Sequence, residues 1–211
     1  MSDDAPLVTQ AQSGDRPAFN QLVVRYQDRI FGLCLRLTGD PDVADDAAQE
    51  TFIAAYRHIQ DFRGGSFPAW LMRIATRQCY DVHRRRQRRP TVSLDRPGRP
   101  YEEAEGPAAT LPDPKPGPEV AAEGRELEAV LQAGLLALPE DQRTALTMCD
   151  VLGYDYQTIA DSTQVALGTV RSRINRGRRR LREYLAGHRE LLPDPYRHSF
   201  RDTVSPESSD V

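Results

Sequence analysis

The sequence predicts an all-α protein, two small helical domains joined by a flexible linker. Three observations predict it. Apolar residues recur at three- and four-residue spacing through both ends of the chain. No stretch of useful length alternates as a strand would. Half of the sixteen prolines fall between Pro90 and Pro118, in a stretch poor in large apolar side chains. The expected boundaries are a first domain over 1–89, a proline-rich acidic linker over 90–124, a second domain over 125–187 and a disordered tail over 188–211.

The 211 residues suffice for one middling domain or two small ones and exclude a large multidomain enzyme. With 39% apolar and 28% charged residues, and no apolar run near the roughly 18 residues a spanning helix needs, no membrane insertion is expected. The opening MSDDAPLVTQ puts acid where a secretory signal carries positive charge, so the expected location is cytoplasmic. Cys34, Cys79 and Cys149 are odd in number and widely spaced, which suggests neither a disulfide framework nor a metal cluster.

In the first domain, Asp15 is placed to cap a helix that holds Pro17 in its first turn. Phe19, Leu22, Val23, Tyr26, Ile30, Leu33 and Leu37 then repeat at helical spacing until Gly39 stops it. A second helix follows Pro41, with Asp42 as its expected cap, and runs to about His58. After the loop DFRGGS, Ser66 caps a third helix that tolerates Pro68 in its first turn and runs into the arginine cluster HRRRQRR. The second domain opens with a helix expected from about Glu126 to Leu138. Pro139 starts another, which Gly153 ends. A short helix around Tyr156 to Ser162 and a tight connection through Gln164 and Val165 lead to a long helix from Leu167 to about Leu185. Two helices joined by so short a turn, the second rich in arginine, form a helix-turn-helix pattern.

The net charge of −3 conceals a division, because both helical blocks carry a basic excess and the spacers an acidic one. Basic residues bunch again at RSRINRGRRRLR, Arg171 to Arg182. Such clusters are the electrostatic footprint of a polyanion partner. On the last helix, Val170, Ile174, Gly177 and Leu181 share the inward side at 100° per residue. Ser172, Asn175, Arg176 and Arg179 lie opposite, flanked by Arg171 and Arg173. Arginine pairs bidentately with guanine and asparagine with adenine.

On the third helix, Met72, Arg73, Thr76, Tyr80 and His83 form the polar face, with Arg77 and Arg84 at its border. A tyrosine among arginines can stack on an unpaired base while guanidinium groups hold the backbone; a partly buried tyrosine that snorkels is the competing reading. On the second helix, Asp46, Gln49, Glu50, Ile53 and Arg57 line up at i, i+3, i+4, i+7 and i+11. That stripe suits a basic protein partner, and acid near a helix N-terminus also complements the dipole.

With these three surfaces, the chain resembles a bacterial extracytoplasmic-function (ECF) sigma factor of RNA polymerase, group 4 of the sigma-70 family. DDAAQETFIAAYR resembles the family's core-binding segment and FRGGSFPAWLMRIATRQCYDVHRRRQRR its minus-10 segment. The stretch from LPEDQRTALTMCDVLGY to GTVRSRINRGRRRLREYL resembles its minus-35 domain. The resemblance implies a sigma region 2 helical bundle and a sigma region 4 helix-turn-helix. It implies that Asp46, Gln49, Glu50 and Ile53 engage the beta-prime clamp helices of core RNA polymerase, with further contact to the beta subunit.

It also implies a base-receiving loop at Arg63, Gly64, Gly65 and Ser66, with Arg73, Thr76, Arg77, Tyr80 and Arg84 completing the minus-10 DNA surface. The minus-35 DNA surface comprises Thr169, Arg171, Ser172, Arg173, Asn175 and Arg176. An anti-sigma factor is the expected regulator. Two departures stand out. Thr76 and Arg77 replace the family's frequent Arg-Asn, and Gln164, Val165 and Ala166 replace its glycine, cysteine and proline in the turn, where a positive φ is wanted.

The leading expectation is a non-enzymatic factor that binds core polymerase, reads minus-10 and minus-35 promoter elements and needs no cofactor. A stand-alone dimeric helix-turn-helix repressor is the alternative, with symmetric half-sites as its signature. An enzyme finds no support: there is no metal-spaced His/Cys set, no phosphate-cradling glycine loop, and the four histidines lie far apart.

Overall fold

The computed structural model describes residues 4–88 and 118–192. Most of the expected linker, and the tail beyond Leu192, lie outside the described residues. All regular structure among those described is helical.

Helix α1, Ala5–Gln12, was not expected. It buries Val8 and Ala11. Its Gln12 Nε2 donates to the carbonyls of Ile59 (3.0 Å) and Phe62 (2.8 Å), tying α1 to the loop that precedes Arg63.

Helix α2 spans Arg16–Thr38 and is capped by Asp15, which accepts from the Ala18 N–H at 3.2 Å. It ends at Gly39, whose φ of 73° is left-handed and whose added Cβ would lie 2.5 Å from Leu136 Cδ1. The left-handed φ is what favours glycine there, since the Leu136 side chain can swing aside.

Helix α3 is Pro41–His58. Its cap is Asp40 and not the expected Asp42, because Asp40 Oδ1 accepts from the N–H groups of Asp42 and Val43. The two aspartates flank Pro41, and the extended backbone of Asp40 is what a cap requires. A 3-10 turn, Ile59–Asp61, leads into the loop before α4, Phe67–Arg88. Ser66 Oγ accepts from the Ala69 N–H at 3.3 Å, the expected cap.

Helices α2, α3 and α4 pack around Leu22, Ile30, Leu33 and Leu71. Phe62, Phe67, Trp70 and Tyr26 form an aromatic cluster beneath the loop, with centroids 5.4–5.8 Å apart. Met72, placed by periodicity on the polar face of α4, is fully buried. The reason is that α4 is covered on two sides, by α2 and α3 and also by α7 of the second half.

Helix α5 runs Pro118–Leu136, starting well before the expected Glu126. Helix α6, Glu140–Leu146, passes into a π-helical turn over Thr147–Val151. Helix α7, Tyr156–Thr163, is capped by Asp155, which accepts from the Thr158 N–H at 2.9 Å. The turn then puts Gln164 at φ 54°, left-handed in a residue that favours it poorly, and α8 follows as Leu167–Ala186.

Leu146, Met148, Ile159, Val170 and Ile174 form the interior of this half. Beyond α8, a 3-10 turn at Arg189–Leu191 brings Leu192 into a small cluster with Leu185. The start of the expected tail is therefore folded onto α8.

The two halves pack on one another and share one apolar core. Arg143 carries much of that junction. It is 9% exposed, and its guanidinium donates to Leu37 O (2.7 Å), Leu136 O (3.0 Å) and Leu138 O (3.1 Å). One buried cation thus satisfies carbonyls at the C-terminal ends of α2 and α5, where the helix dipoles favour positive charge. Arg36 of α2 adds bonds to Glu128 and Gln132 of α5, both at 3.0 Å.

Candidate polymerase and nucleic-acid interfaces

The acidic stripe of α3 stands clear of the fold. Asp46, Gln49, Glu50 and Arg57 are exposed and Ile53 is 42% exposed, while Ala44, Ala47, Ala48 and Ala55 on the opposite face are buried. Small alanines let α3 lie close against its neighbours. An exposed isoleucine between carboxylates offers a partner an apolar anchor inside a negative rim.

The loop Arg63–Ser66 takes its shape from Gly64 and Gly65, at φ 94° and 90°. A Cβ at either would meet nothing within 4 Å, so backbone conformation rather than space selects glycine there. Beside the loop opens a cleft of about 1080 Å³ whose walls include Arg25, Tyr26, Arg29, Arg63 and Phe67. Guanidinium groups next to aromatic rings suit a nucleotide, phosphate against the former and base against the latter. Arg25 and Arg29 were missed in the sequence, where α2 was read only for its apolar repeat; their i, i+4 spacing was the available signal. Arg25 pairs with Asp4, and Tyr26 donates to the same carboxylate. The far wall of the cleft belongs to the second half: Tyr154, Asp155 and Thr158. Arg29 lies over the Tyr154 ring, 5.9 Å from its centroid.

Along α4, Arg73, Arg77 and Arg84 are exposed. Thr76 is half-buried and bonds back to Met72 O at 2.9 Å. Tyr80 does not stand free among them. Its hydroxyl donates to Glu140 O at 2.7 Å and is bonded to Thr144 Oγ1. Burial pushes its phenol up to about 12. The snorkelling reading of this tyrosine describes the closed arrangement seen here.

The outward face of α8 is largely as periodicity places it. Arg171, Asn175 and Arg176 are exposed; Thr169 and Ser172 are half-buried. Arg176 folds back on its own helix, donating from Nε to Ser172 O (3.2 Å) and from Nη2 to Ser172 Oγ (3.1 Å). Arg173 parts company with the others. It is 21% exposed and its Nε lies 2.9 Å from Asp141 Oδ2 of α6. Arg178, further along, is held by Asp150, whose carboxyl the guanidinium keeps below the usual carboxylate range. The polar face of α4 and the side of α8 that carries Arg173 thus meet across a second cleft of about 490 Å³, lined by Arg73, Arg77, Tyr80, Glu140, Asp141 and Arg173 among others.

Two family models match this chain, sigma-70 region 2 over residues 22–89 and sigma-70 region 4 over residues 128–181. The ECF RNA polymerase sigma factor SigE of Mycolicibacterium smegmatis is 40% identical over 172 residues, covering 82% of this chain and 63% of that protein. The RNA polymerase sigma-H factor of Pseudomonas aeruginosa is 44% identical over 176 residues, covering 83% of this chain and 90% of its own length. Among solved structures, CnrH in complex with the cytosolic domain of CnrY superposes with a TM-score of 0.63 at 25% identity, covering 87% of this chain and 97% of that one.

Fold and matched regions together define a sigma-70-type initiation factor with regions 2 and 4. The chain belongs to the ECF sigma factors of bacterial RNA polymerase, group 4 of that family. As such it directs transcription initiation and regulates transcription, and the dimeric-repressor reading is not favoured. No described helix is long and apolar enough to cross a membrane.

Proposed function

We propose that this sigma factor docks on core RNA polymerase through the α3 stripe, with Asp46, Gln49, Glu50 and Ile53 against the clamp helices of the beta-prime subunit. The exposure of that stripe, with Ile53 42% exposed between carboxylates, is the observation that supports the reading most. The loop Arg63–Ser66 receives an unstacked minus-10 base, Arg73, Thr76, Arg77, Tyr80 and Arg84 hold that strand, and the outward face of α8 reads the minus-35 element in duplex DNA. Residues 1–89 and 125–187 act as the two reading domains and 90–124 as the tether between them. The factor works in the cytoplasm, without catalysis or a cofactor of its own. An anti-sigma factor restrains it, a reading supported by the family and by a structural neighbour solved with another protein's cytosolic domain.

The test is transcription in vitro with core polymerase and genomic templates. A new set of start sites is expected, preceded by two shared sequence elements. Transcripts only from promoters of another sigma factor would contradict the reading.

A further inference from the structure

Helix α1, Ala5–Gln12, lies ahead of the residues that the family models match, which begin at residue 22. One side of it is nonetheless fastened to the first half from end to end. Asp4, Val8, Ala11 and Gln12 recur at i, i+4, i+7 and i+8, the spacing of a single helix face. Asp4 accepts from Arg25 and from the Tyr26 hydroxyl, and Val8 and Ala11 are buried. At the other end the Gln12 amide donates to Ile59 O at 3.0 Å and to Phe62 O at 2.8 Å. We propose that α1 is a brace for the base-receiving loop and Gln12 its positioning residue: by fixing the chain that enters Arg63–Ser66, it sets the base selectivity of the minus-10 pocket. The inference rests on the reading of that loop as the receiver of an unstacked base.

The loop does not hold its own shape. Gly64 and Gly65 stand at φ 94° and 90° with no side chain to pack, and among the described residues no hydrogen bond reaches either of them. Its conformation is therefore imposed at its ends. On the exit side, Ser66 Oγ accepts from the Ala69 N–H, and the Phe67 ring packs edge-on to Phe62 with 5.8 Å between centroids. On the entry side the chain leaves a single 3-10 turn, whose last carbonyls have no following turn to satisfy them. Ile59 O takes the Phe62 N–H at 3.2 Å, while among the described residues Phe62 O, one position before Arg63, accepts only from Gln12.

A primary amide carries two N–H donors in a fixed fork. Gln12 thus fixes two carbonyls three residues apart, and with them the direction in which the chain enters the loop. The same helix lines the cleft beside the loop with Ala5, Val8 and Thr9. Every hydrogen bond of the brace lies within the first half, so it is available in the holoenzyme as in the free protein. A pocket whose shape is held in advance favours the one base that fits it, whereas a loose pocket must be ordered anew by each base it meets. Loss of the brace should therefore cost the preferred base more than the others.

The experiment uses holoenzyme assembled with the full-length chain carrying Gln12→Met, which keeps the length of the side chain but removes both donors, or Gln12→Lys, whose ammonium can donate to both carbonyls. Gln12 is half-buried at the last position of its helix, so both variants should fold as the parent does. The probe is a labelled single-stranded DNA carrying the non-template minus-10 strand of a promoter that the holoenzyme opens, with each of the four bases placed in turn at each position. Affinities are read by fluorescence anisotropy. At the position where the parent discriminates most, Gln12→Met should reduce the preference about two- to tenfold, with the preferences elsewhere and the affinity for core polymerase unchanged. Gln12→Lys should restore it. The readout is a ratio of affinities, so the added positive charge, which acts on every sequence alike, cancels.

A folded Gln12→Met variant that keeps the parental preference, or that loses affinity equally for all four bases, would overturn the brace. So would a Gln12→Lys variant that discriminates no better than Gln12→Met. The loop assignment fails differently: Gly65→Ala, strained at a positive φ, would then leave every base preference as it is in the parent, whatever the Gln12 variants do.

Discussion

Helices α3 and α4 are neighbours of similar length, each with a polar face along its outer side, yet they meet opposite fates. The face of α3 is left to solvent, whereas that of α4 is partly covered by α6 and α7. Residue type accounts for the difference. On α3 the outer face carries carboxylates and a glutamine around Ile53. On α4 it carries arginines and a tyrosine, and α6 meets them with Glu140, Asp141 and Thr144. Amphipathicity thus identifies a face that binds something, and the charge it carries decides whether the rest of the molecule can bind it first.

The sharpest way to break this comparison is to remove the junction itself. Arg143→Ala strips donors from three carbonyls that no longer reach water, those of Leu37, Leu136 and Leu138. A loss of about 2–4 kcal/mol is expected, since each bond to a charged group contributes about 1.5–3 kcal/mol and the orphaned carbonyls relax only in part. Thermal or urea unfolding measures it. A loss below about 0.5 kcal/mol would show that the halves are not joined there.

Next in size are the reading faces. Glu50→Lys should weaken binding to core polymerase by at least tenfold while leaving the unfolding midpoint unmoved, because the side chain is exposed and reversal puts like charge against a basic partner. A pull-down with unchanged affinity would remove α3 from the polymerase contact. On α8, Arg176→Ala should cost about 1–3 kcal/mol on the preferred minus-35 sequence and flatten selectivity. Arg180→Ala should weaken all sequences alike and reduce the salt slope by about 1. Arg176 is exposed and bonds Ser172 one turn back on its own helix, so releasing it to a base costs little. Arg180 donates to Gln142 at 3.3 Å, towards the edge of the helix face, where an arginine meets phosphate and not base edges. A uniform loss from Arg176→Ala, with the rank order of variants kept, would overturn the distinction.

The smallest expected effect concerns acid. The Thr158 backbone N–H holds the Asp155 carboxyl below its usual range. A carboxylate depressed in the folded state stabilises above its unfolded value of about 3.9 and loses that contribution as pH falls through the lower folded value. Asp155→Asn keeps the cap acceptor but not the charge. It should leave stability at pH 7 within about 1 kcal/mol and flatten its fall below pH 4. An unaltered acid profile would show that Asp155 does not carry it.

Much of this was legible in the sequence where local chemistry decides. Asp15 and Ser66 each sit one residue before a helix and accept from its first turn. Gly39 and Gln164 end helices where the polar pattern stops. The exposed stripe of α3 and most of the outer face of α8 follow from spacing alone.

What escaped depends on contacts remote in sequence. Helix α1 buries only Val8 and Ala11, too few to make a period. Asp40 and Asp42 differ as caps through backbone conformation, which composition does not encode. Helix α5 begins at a proline inside a proline-rich stretch, where proline reads as tether although it suits a first helical turn. Arg36 and Arg143 look like ordinary surface charges of amphipathic helices, and only the docking of the two halves turns them into a junction. Periodicity places Tyr80 on the polar face of α4, but the structure half-buries it against α6, whose partner residue lies some sixty positions away.

The central claim is that the two halves of the free protein pack together, drawing α4 and α8 towards α6, while the α3 stripe stays exposed. Pulsed electron resonance between spin labels at Asp81 on α4 and Asp161 on α7, in a Cys149→Ser background that leaves only the buried Cys34 and Cys79 as native thiols, measures it directly. The account predicts one short distance in the free protein and a shift to a long one, tens of ångströms greater, on adding core polymerase. A broad, long distribution in the free protein that core polymerase does not change would contradict it.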